Sequence, residues 1–385
     1  KGRFISATWE EAVRRVAETL KQTQVAGHPE QVAFLHGGLR GSYAAVAQSF
    51  LRAYGTPHFI SLEPGETLKL ANYYTYGAYG HYAVDFDKAN VILSFGAPLL
   101  EGWDSPIYAQ RMLGRMRESR KEAKLIQVDS RGSITAARAD EWVKIRPGTE
   151  GALALALAYV IIKEKLYDEA FLDQHAFGFQ ADAASKTNIQ GGFKQLVLEK
   201  YNPYRVAKIT GVASDNIIAL AKLFATEKPA VALVGTPALQ YTNGLFNALA
   251  INTLNALVGN IDRPGGILKQ RKVMTAAGEN TEADGFNRPS EHASRLGASL
   301  TDRLPNLKTL FIYDANPAFY RPQSAQLAKW MEEIDLIVSF ANVWDETAHA
   351  ADIILPEHHF LERWQDVHNS EQEPLPIVAL SRPVT

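Results

Sequence analysis

The chain has 385 residues, of which 46% are hydrophobic, and a formal net charge of −2. That length and apolar content predict two or three domains with sizeable cores, and the even mix of acids and bases argues against nucleic acid as a partner. There is no cysteine, which excludes disulfides, zinc–thiolate sites, iron–sulfur ligation and a cysteine nucleophile within this chain.

The first predicted element is a helix over 7–22 (ATWEEAVRRVAETLKQ), with Trp9, Ala12, Val13, Val16 and Leu20 at helical spacing and Thr8 with Glu11 as a capping box. A strand over 31–38 follows, then a helix over 42–55 that stops on Gly55. Further strands are predicted over 57–62, 89–96 and 123–130. The run GALALALAYVII (151–162) is too short for the roughly 18 residues of a membrane span and follows a Pro-Gly-Thr turn, so it reads as a buried core helix. Ser214 is predicted to cap a helix over 214–227, a strand covers 230–235, and the nearly all-apolar stretch 244–260 reads as a deeply buried helix. Residues 268–300 lack periodicity and read as a long functional loop. Strands over 309–315, 335–342 and 351–356 complete the pattern.

Most of these strands are continuous apolar runs, the mark of strands covered on both faces in a parallel sheet. Their alternation with helices predicts an α/β protein with two doubly wound Rossmann-like domains. No signal peptide is visible. The chain opens on Lys-Gly-Arg-Phe without Met, and reads as a fragment or processed piece.

Ligands of doubly wound sheets bind beyond the carboxyl ends of the strands. The segments there are rich in small and polar residues: Gly96 and Asp104 after 89–95, Asp129 and Arg131 after 123–128, Gly235 after 230–234, Asp314, Asn316 and Pro317 after 309–313, and the loop beyond Ser339. Asp129 suits ribose hydroxyls, and Arg131 suits a base or phosphate. Gly148 and Thr149 open a helix whose free N–H groups favour an anion or a carbonyl. Glu150 could accept the N1 and N2 donors of a guanine; it could equally serve only the helix dipole. Asp129 could likewise be only a cap. Neither GxGxxG nor GxxxxGK[ST] occurs. His358 and His359 are adjacent, point to different sides, and read as a strand exit and turn rather than as metal ligands.

Several segments together resemble one family. They are Trp9–Ala12, Val128–Arg131 with Thr135–Asp140, Arg146–Leu153, Leu166–Leu172, Leu254–Gly266, Ala315–Pro317 and Asp345–Pro356. Their order and spacing are similar to those of the molybdopterin oxidoreductases of the dimethyl sulfoxide reductase family. The resemblance implies one domain over 1–65 plus 270–385, interrupted by a second over 66–269, each carrying one molybdopterin guanine dinucleotide of a molybdenum or tungsten centre. It places Asp129 and Arg131 at a cofactor ribose and guanine, and Gly148, Thr149 and Glu150 at a guanine-facing turn. Asp314–Pro317 and the loop after Ser339 fall at the second dinucleotide. The family usually has Asp where Glu150 stands. Its metal ligand follows the strand near 57–62, where this chain offers Ser61, Glu63 and Glu66 and no Cys. Glu66 is the metal candidate because a carboxylate suits a hard, high-valent ion; the alternative is a loop that supplies no ligand.

The function implied is two-electron redox of a polysulfide, thiosulfate, formate or nitrate type in anaerobic bacterial respiration. An iron–sulfur electron-transfer subunit and a membrane quinone-reactive subunit are the implied partners, in a periplasmic or membrane-associated complex. Iron–sulfur clusters and a C-terminal β-barrel would lie outside this chain. The alternative is a cofactor-less scaffold subunit of a quinone reductase complex.

Overall fold

The structure is a computed structural model that describes residues 4–63, 65–103, 105–180, 192–269, 304, 306–320, 324–368 and 377–385. Asp104, and the predicted loop at 268–300 beyond Lys269, lie outside them.

In chain order the strands are β1 (Val32–His36), β2 (Phe59–Ser61), β3 (Tyr82–Val84), β4 (Val91–Phe95), β5 (Lys124–Asp129), β6 (Glu141–Lys144), β7 (Ala230–Val234), β8 (Ile267–Lys269), β9 (Thr309–Tyr313), β10 (Leu336–Ser339), β11 (Ile353–Ile354), β12 (Gln365–His368) and β13 (Val378–Ser381). The principal helices up to residue 119 are α1 (Trp9–Val25), α2 (Gly41–Tyr54), α3 (Gly65–Tyr76) and α4 (Pro106–Ser119). After them come α5 (Ile134–Arg138), α6 (Glu150–Lys163), α7 (Glu169–His175), α8 (Gly192–Lys200), α9 (Pro203–Thr210), α10 (Ser214–Thr226), α11 (Thr236–Leu239) and α12 (Gly244–Leu257). The last are α13 (Pro317–Tyr320), α14 (Ser324–Glu332) and α15 (Glu346–Ala350).

The chain divides into two compact units. The first joins the N-terminal residues up to Glu66 to the described segments between Leu304 and His368 and to Ile377–Thr385. It holds a five-stranded parallel sheet in the order β11-β10-β9-β1-β2. Val32 and Phe34 of β1 pack to one side with Leu20 of α1 and Leu51 of α2, while Ala33 and Leu35 pack to the other with Leu327 and Met331 of α14. Both faces are thus covered, which is why these strands read as unbroken apolar runs. The predicted capping box is present: Thr8 accepts from Glu11 N, and Glu11 accepts from Thr8 N. Gly55 takes the left-handed conformation (φ 99°) that ends α2.

The second unit begins at Thr67 and its main described body runs to Lys269. Its parallel sheet has the order β6-β5-β4-β7. Leu93, Phe95, Ile126 and Val128 meet the apolar helices α6 and α12 on one face, and Ile92, Leu125, Val231 and Leu233 meet Met112 and Leu113 of α4 on the other. The sequence expectation for α10 needs one correction. Ala213, not Ser214, is the N-cap, and no side chain caps that helix.

Helix α12 is apolar but carries buried asparagines, and these finish the open edge of β7. Asn255 Oδ1 accepts from Ala232 N (2.8 Å) while its Nδ2 donates to Ala232 O (2.9 Å), so one side-chain amide pairs with the strand as a neighbouring backbone would. Just past the helix, Asn260 Nδ2 donates to Ala230 O (2.6 Å). Asn252 Nδ2 reaches across to α3, donating to Asn72 Oδ1 and Thr75 Oγ1, both at 3.0 Å. Among the described residues no single helix is long and apolar enough to cross a membrane.

Candidate functional site

Strand order locates the crevice in each sheet. In the second unit the chain runs outward from β4 to β5 and β6, then returns to the other side as β7, so the switch point lies between β4 and β7. In the first unit it lies between β1 and β9. Ligands of open α/β sheets bind at such points.

At β4/β7 the sequence candidates Gly96 and Gly235 meet. A Cβ on Gly235 would lie 2.1 Å from Ala97 N and 2.2 Å from Gly96 C. Gly96 has φ +75°, and both glycines are buried. Their role is to let two loops touch backbone to backbone.

Beside them, Asp129 ends β5 and is 5% exposed. Its Oδ1 accepts from Arg131 N (3.0 Å), and its Oδ2 accepts from Gln127 Nε2 and Ser133 Oγ (both 3.3 Å). The carboxylate therefore shapes its own loop and keeps only residual acceptor capacity for a ribose. Gln127 Oε1, one position back on the same strand face, is buried without a hydrogen-bond partner, an acceptor that a bound donor or water would satisfy. Trp142 Nε1 donates to Asp129 O (3.0 Å), and its ring packs where a Gly132 Cβ would be, at 3.5 Å. The Arg131 guanidinium is exposed, 3.5 Å from Glu101.

The second predicted element of this site is the turn into α6. Gly148 has φ +76°, with the Tyr241 ring 3.4 Å from a would-be Cβ. Thr149 stands at the N-cap position, but its hydroxyl donates backwards to Arg146 O (2.7 Å). Glu150 is 5% exposed. Its Oε1 accepts a long bond from Gly148 N (3.4 Å), and its Oε2 accepts from Asn247 Nδ2 (3.3 Å). Burial pushes its carboxyl above the usual range; its own backbone N–H and that of Gly148 oppose this, and the Asp129 charge adds to it. The Gly151 N–H is taken by Asn247 Oδ1 (3.1 Å), so this helix opening is less free than the sequence implied.

In the first unit, a Cβ on Gly37 would fall 1.8 Å from Asp314 O, so β1 and β9 also converge backbone to backbone. Asp314 is exposed and left-handed (φ 48°). Asn316 bridges to α15: its Oδ1 accepts from Thr347 N (3.3 Å) and Thr347 Oγ1 (2.7 Å), and its Nδ2 donates to Glu346 (2.7 Å). Pro317 opens α13. Ser339 is buried and accepts from Ala341 N (3.3 Å), so its hydroxyl shapes the following loop. Ser61 Oγ accepts from Glu63 N (3.2 Å), and Glu63 lies 3.5 Å from Arg40. Glu66 lies in the first turn of α3. Among the described residues no three His, Asp or Glu side chains gather as a metal cluster; His358 and His359 stand exposed in a loop.

Sequence reasoning did not single out Trp142 or Asn247, whereas Gly37 and Asn243 fall in the small, polar loops that follow β1 and β7. Asparagines recurring through the largely apolar α12 were the available signal.

The model of the family described as molybdopterin oxidoreductase matches residues 1–379. The chain belongs to that family. Among curated proteins, the arsenate respiratory reductase molybdopterin-containing subunit of a Shewanella species is 27% identical, over 94% of this chain and 47% of its own length. The menaquinone reductase molybdopterin-binding-like subunit of Nitratidesulfovibrio vulgaris is 29% identical, over 100% of this chain and 52% of its own. The thiosulfate reductase molybdopterin-containing subunit of Salmonella typhimurium is 27% identical, over 95% and 50%. The chain thus spans about half the length of these relatives. Among solved structures, acetylene hydratase from Pelobacter acetylenicus superposes with a TM-score of 0.75 at 22% identity, over 100% of this chain and 56% of that one. The likeness bears on the fold, and it agrees with the parallel α/β architecture expected from the sequence.

Proposed function

We propose that this chain is the dinucleotide-binding part of a respiratory molybdopterin oxidoreductase, with one guanine dinucleotide of a bis-molybdopterin cofactor held in each unit. The domains on this reading are 1–65 plus 270–385 and 66–269. The observation that carries it is the closed backbone contact at each switch point, Gly96 with Gly235 and Gly37 with Asp314, flanked by polar turns. Loops that meet this closely at a switch point present peptide groups rather than bulky side chains, the surroundings that phosphates and sugars need.

In the second unit, Glu150 accepts the guanine donors, Asp129 meets the ribose and Arg131 covers the base or a phosphate. In the first, Asp314, Asn316, Pro317 and the loop after Ser339 line the other dinucleotide. The cofactor, when bound, supplies two-electron exchange at molybdenum or tungsten. This chain's residues bind and orient it, and Glu66 is the candidate side chain for the metal. Substrates of the polysulfide, thiosulfate, formate or nitrate type suit this chemistry. Partners would be an iron–sulfur subunit and a membrane quinone-reactive subunit, in a periplasmic or membrane-associated complex.

A second reading has its own support. The Nitratidesulfovibrio relative, aligned over the whole chain, is named molybdopterin-binding-like, and residues 59–69 contain no Cys. On that reading the chain is a scaffold that kept the fold without the redox centre.

Metal analysis by mass spectrometry, with fluorescence of acid-oxidised pterin, separates the two. Molybdenum or tungsten together with pterin in the purified protein supports the enzyme. Neither, from a host that loads other molybdoenzymes, leaves the scaffold.

A further inference from the structure

Glu150, as the guanine-facing acid, must be held in place. A glutamate side chain has several rotamers, and a carboxylate accepts two parallel donors well only when its plane is fixed. The structure supplies a fixing group from far along the chain.

Asn247 lies on α12 and is 0% exposed. Its Oδ1 accepts from Gly151 N (3.1 Å) and from Asn243 Nδ2 (3.3 Å). Its Nδ2 donates to Ala238 O (3.0 Å) and to Glu150 Oε2 (3.3 Å). Chemistry fixes the amide orientation, because a flip would set Oδ1 against the Ala238 carbonyl and Nδ2 against the Gly151 N–H. Asn247 therefore always presents a donor to Glu150. It also ties the α6 turn to α11, the short helix that leaves the switch point after Gly235. The two helices can come this close only because residue 151 is glycine: a Cβ there would stand 2.7 Å from Asn247 Oδ1 and 2.8 Å from the Phe246 ring. Asn243 Nδ2 secures the same turn by donating to Gly148 O (2.9 Å).

We infer that Asn247 is a positioning residue that fixes the Glu150 carboxylate against a guanine edge and so gives this unit its preference for guanine. The inference rests on the nucleotide reading above. Asn247 donates to Oε2, and the long bond from Gly148 reaches Oε1, with the acid's own N–H beside them; a carboxylate has about four lone-pair sites, so it keeps acceptor capacity for two more donors. Guanine offers N1–H and N2–H in parallel. Hypoxanthine offers N1–H alone, and adenine turns an acceptor toward the acid.

The ionised form of Glu150 is the one that accepts both donors, so guanine binding requires it. The groups around it are Asp129 at the end of β5, Tyr241 over Gly148, and the uncharged Asn243 at the N-cap of α12 with Phe246 and Asn247 on that helix. Arg146 precedes the turn, but its guanidinium donates away, to Lys208 O and Ile209 O. Burial and the Asp129 charge oppose the charged acid, the backbone N–H groups of Glu150 and Gly148 favour it, and a hydrogen bond donated by Asn247 to the carboxylate acts in the same favourable sense.

The test is calorimetric titration of this chain with GDP, IDP and ADP from about pH 5 to 9 (a range that spans perturbed carboxyl values), for the parent, Asn247→Leu, Asn247→Asp and Glu150→Gln. The parent should bind GDP in preference to IDP and ADP, with binding lost below an acid midpoint. Asn247→Leu should weaken GDP about tenfold near neutral pH, the size of one lost charge-assisted bond. It should also shrink the GDP-over-IDP preference and move the midpoint to higher pH. Asn247→Asp, nearly isosteric, should move the midpoint the same way if the Leu variant does not fold. Glu150→Gln should abolish the acid limb. A parent that binds no GDP would remove the nucleotide reading and this inference with it. A parent that prefers GDP, with a midpoint and preference that Asn247→Asp leaves in place, would overturn the inference alone, since a purely structural role lowers all three affinities alike.

Discussion

Gly37 and Asp314 are in such close contact that no side-chain carbon fits between them: a Cβ on Gly37 would stand 1.8 Å from the Asp314 carbonyl oxygen. The same device recurs in the other unit, where a Gly235 Cβ would stand 2.1 Å from Ala97 N. In both cases the obstructing atoms are backbone, which cannot rotate aside as a side chain would. Gly37→Ala and Gly235→Ala are each expected to cost about 1–3 kcal/mol, the usual range for overpacking, or somewhat more. Urea unfolding midpoints of the two variants against the parent give the measurement. A loss under about 0.5 kcal/mol, the level of an ordinary surface change, would mean the strands separate easily and the crevice is not rigid.

Asn255 replaces a missing strand partner at Ala232. Truncating it to Ala leaves a buried N–H and a buried C=O unpaired, at about 1–3 kcal/mol each. Asn255→Ala should therefore destabilise the chain by several kcal/mol, and Asn255→Asp at least as much near neutral pH, because it sets a buried carboxylate against the Ala232 carbonyl. Amide exchange at Ala232 should quicken in the Ala variant, a readout that general loosening of α12 would spread over many residues instead.

Glu150 carries a pH signature of its own. Burial raises its carboxyl in the folded chain above the unfolded value. The sign follows from linkage: the folded state holds this proton more tightly, so the contribution to stability is full below the unfolded carboxyl range and is lost as pH rises through the folded value. Relative to Glu150→Gln, the parent should gain stability as pH falls from neutral toward about 4, the ordinary glutamate range. Parallel stability curves for the two proteins would contradict this.

Three tyrosines should titrate late. Burial, then the Asp262 charge, pushes Tyr82 up to about 12. Burial is also the first cause of the upward shifts at Tyr76 and at Tyr313, whose hydroxyl meets Glu357 and Arg363. Their neutral form belongs to the fold, so their share of stability is intact below about pH 10, the ordinary phenol value, and declines above it. Absorbance near the phenolate band should show a first wave from exposed tyrosines and a second that coincides with alkaline unfolding. One single wave centred at the ordinary value would be inconsistent with these burials.

The eight apolar strand segments visible in the sequence all became strands: the inner ones because burial on both faces leaves an unbroken apolar run, and the half-buried edge strands β2 and β11 over only three and two residues. The strands that escaped are short or wet. β6 (Glu141–Lys144) has only Val143 buried, β3 and β8 form a small antiparallel pair, and β12 and β13 pair outside the main sheets. For the site, residue types at strand ends could be read, but what they spend their bonds on could not. Asp129 and Ser339 each bond within their own loops, and Glu150 is held by an amide 97 positions away. Partners of that kind are set by how helices pack, which no local pattern records.

The asparagines that close β7 also limit how this protein can assemble. A sheet edge normally offers its unpaired peptide groups to any extended chain, and subunits and aggregates alike recruit one another through such rims. Here Ala230 and Ala232 have already been answered from within by Asn260 and Asn255. A neighbouring chain is therefore not offered Ala230 O or the peptide groups of Ala232 along this edge of the sheet. Wherever extended chains crowd together, that keeps β7 from being mistaken for the start of a longer sheet.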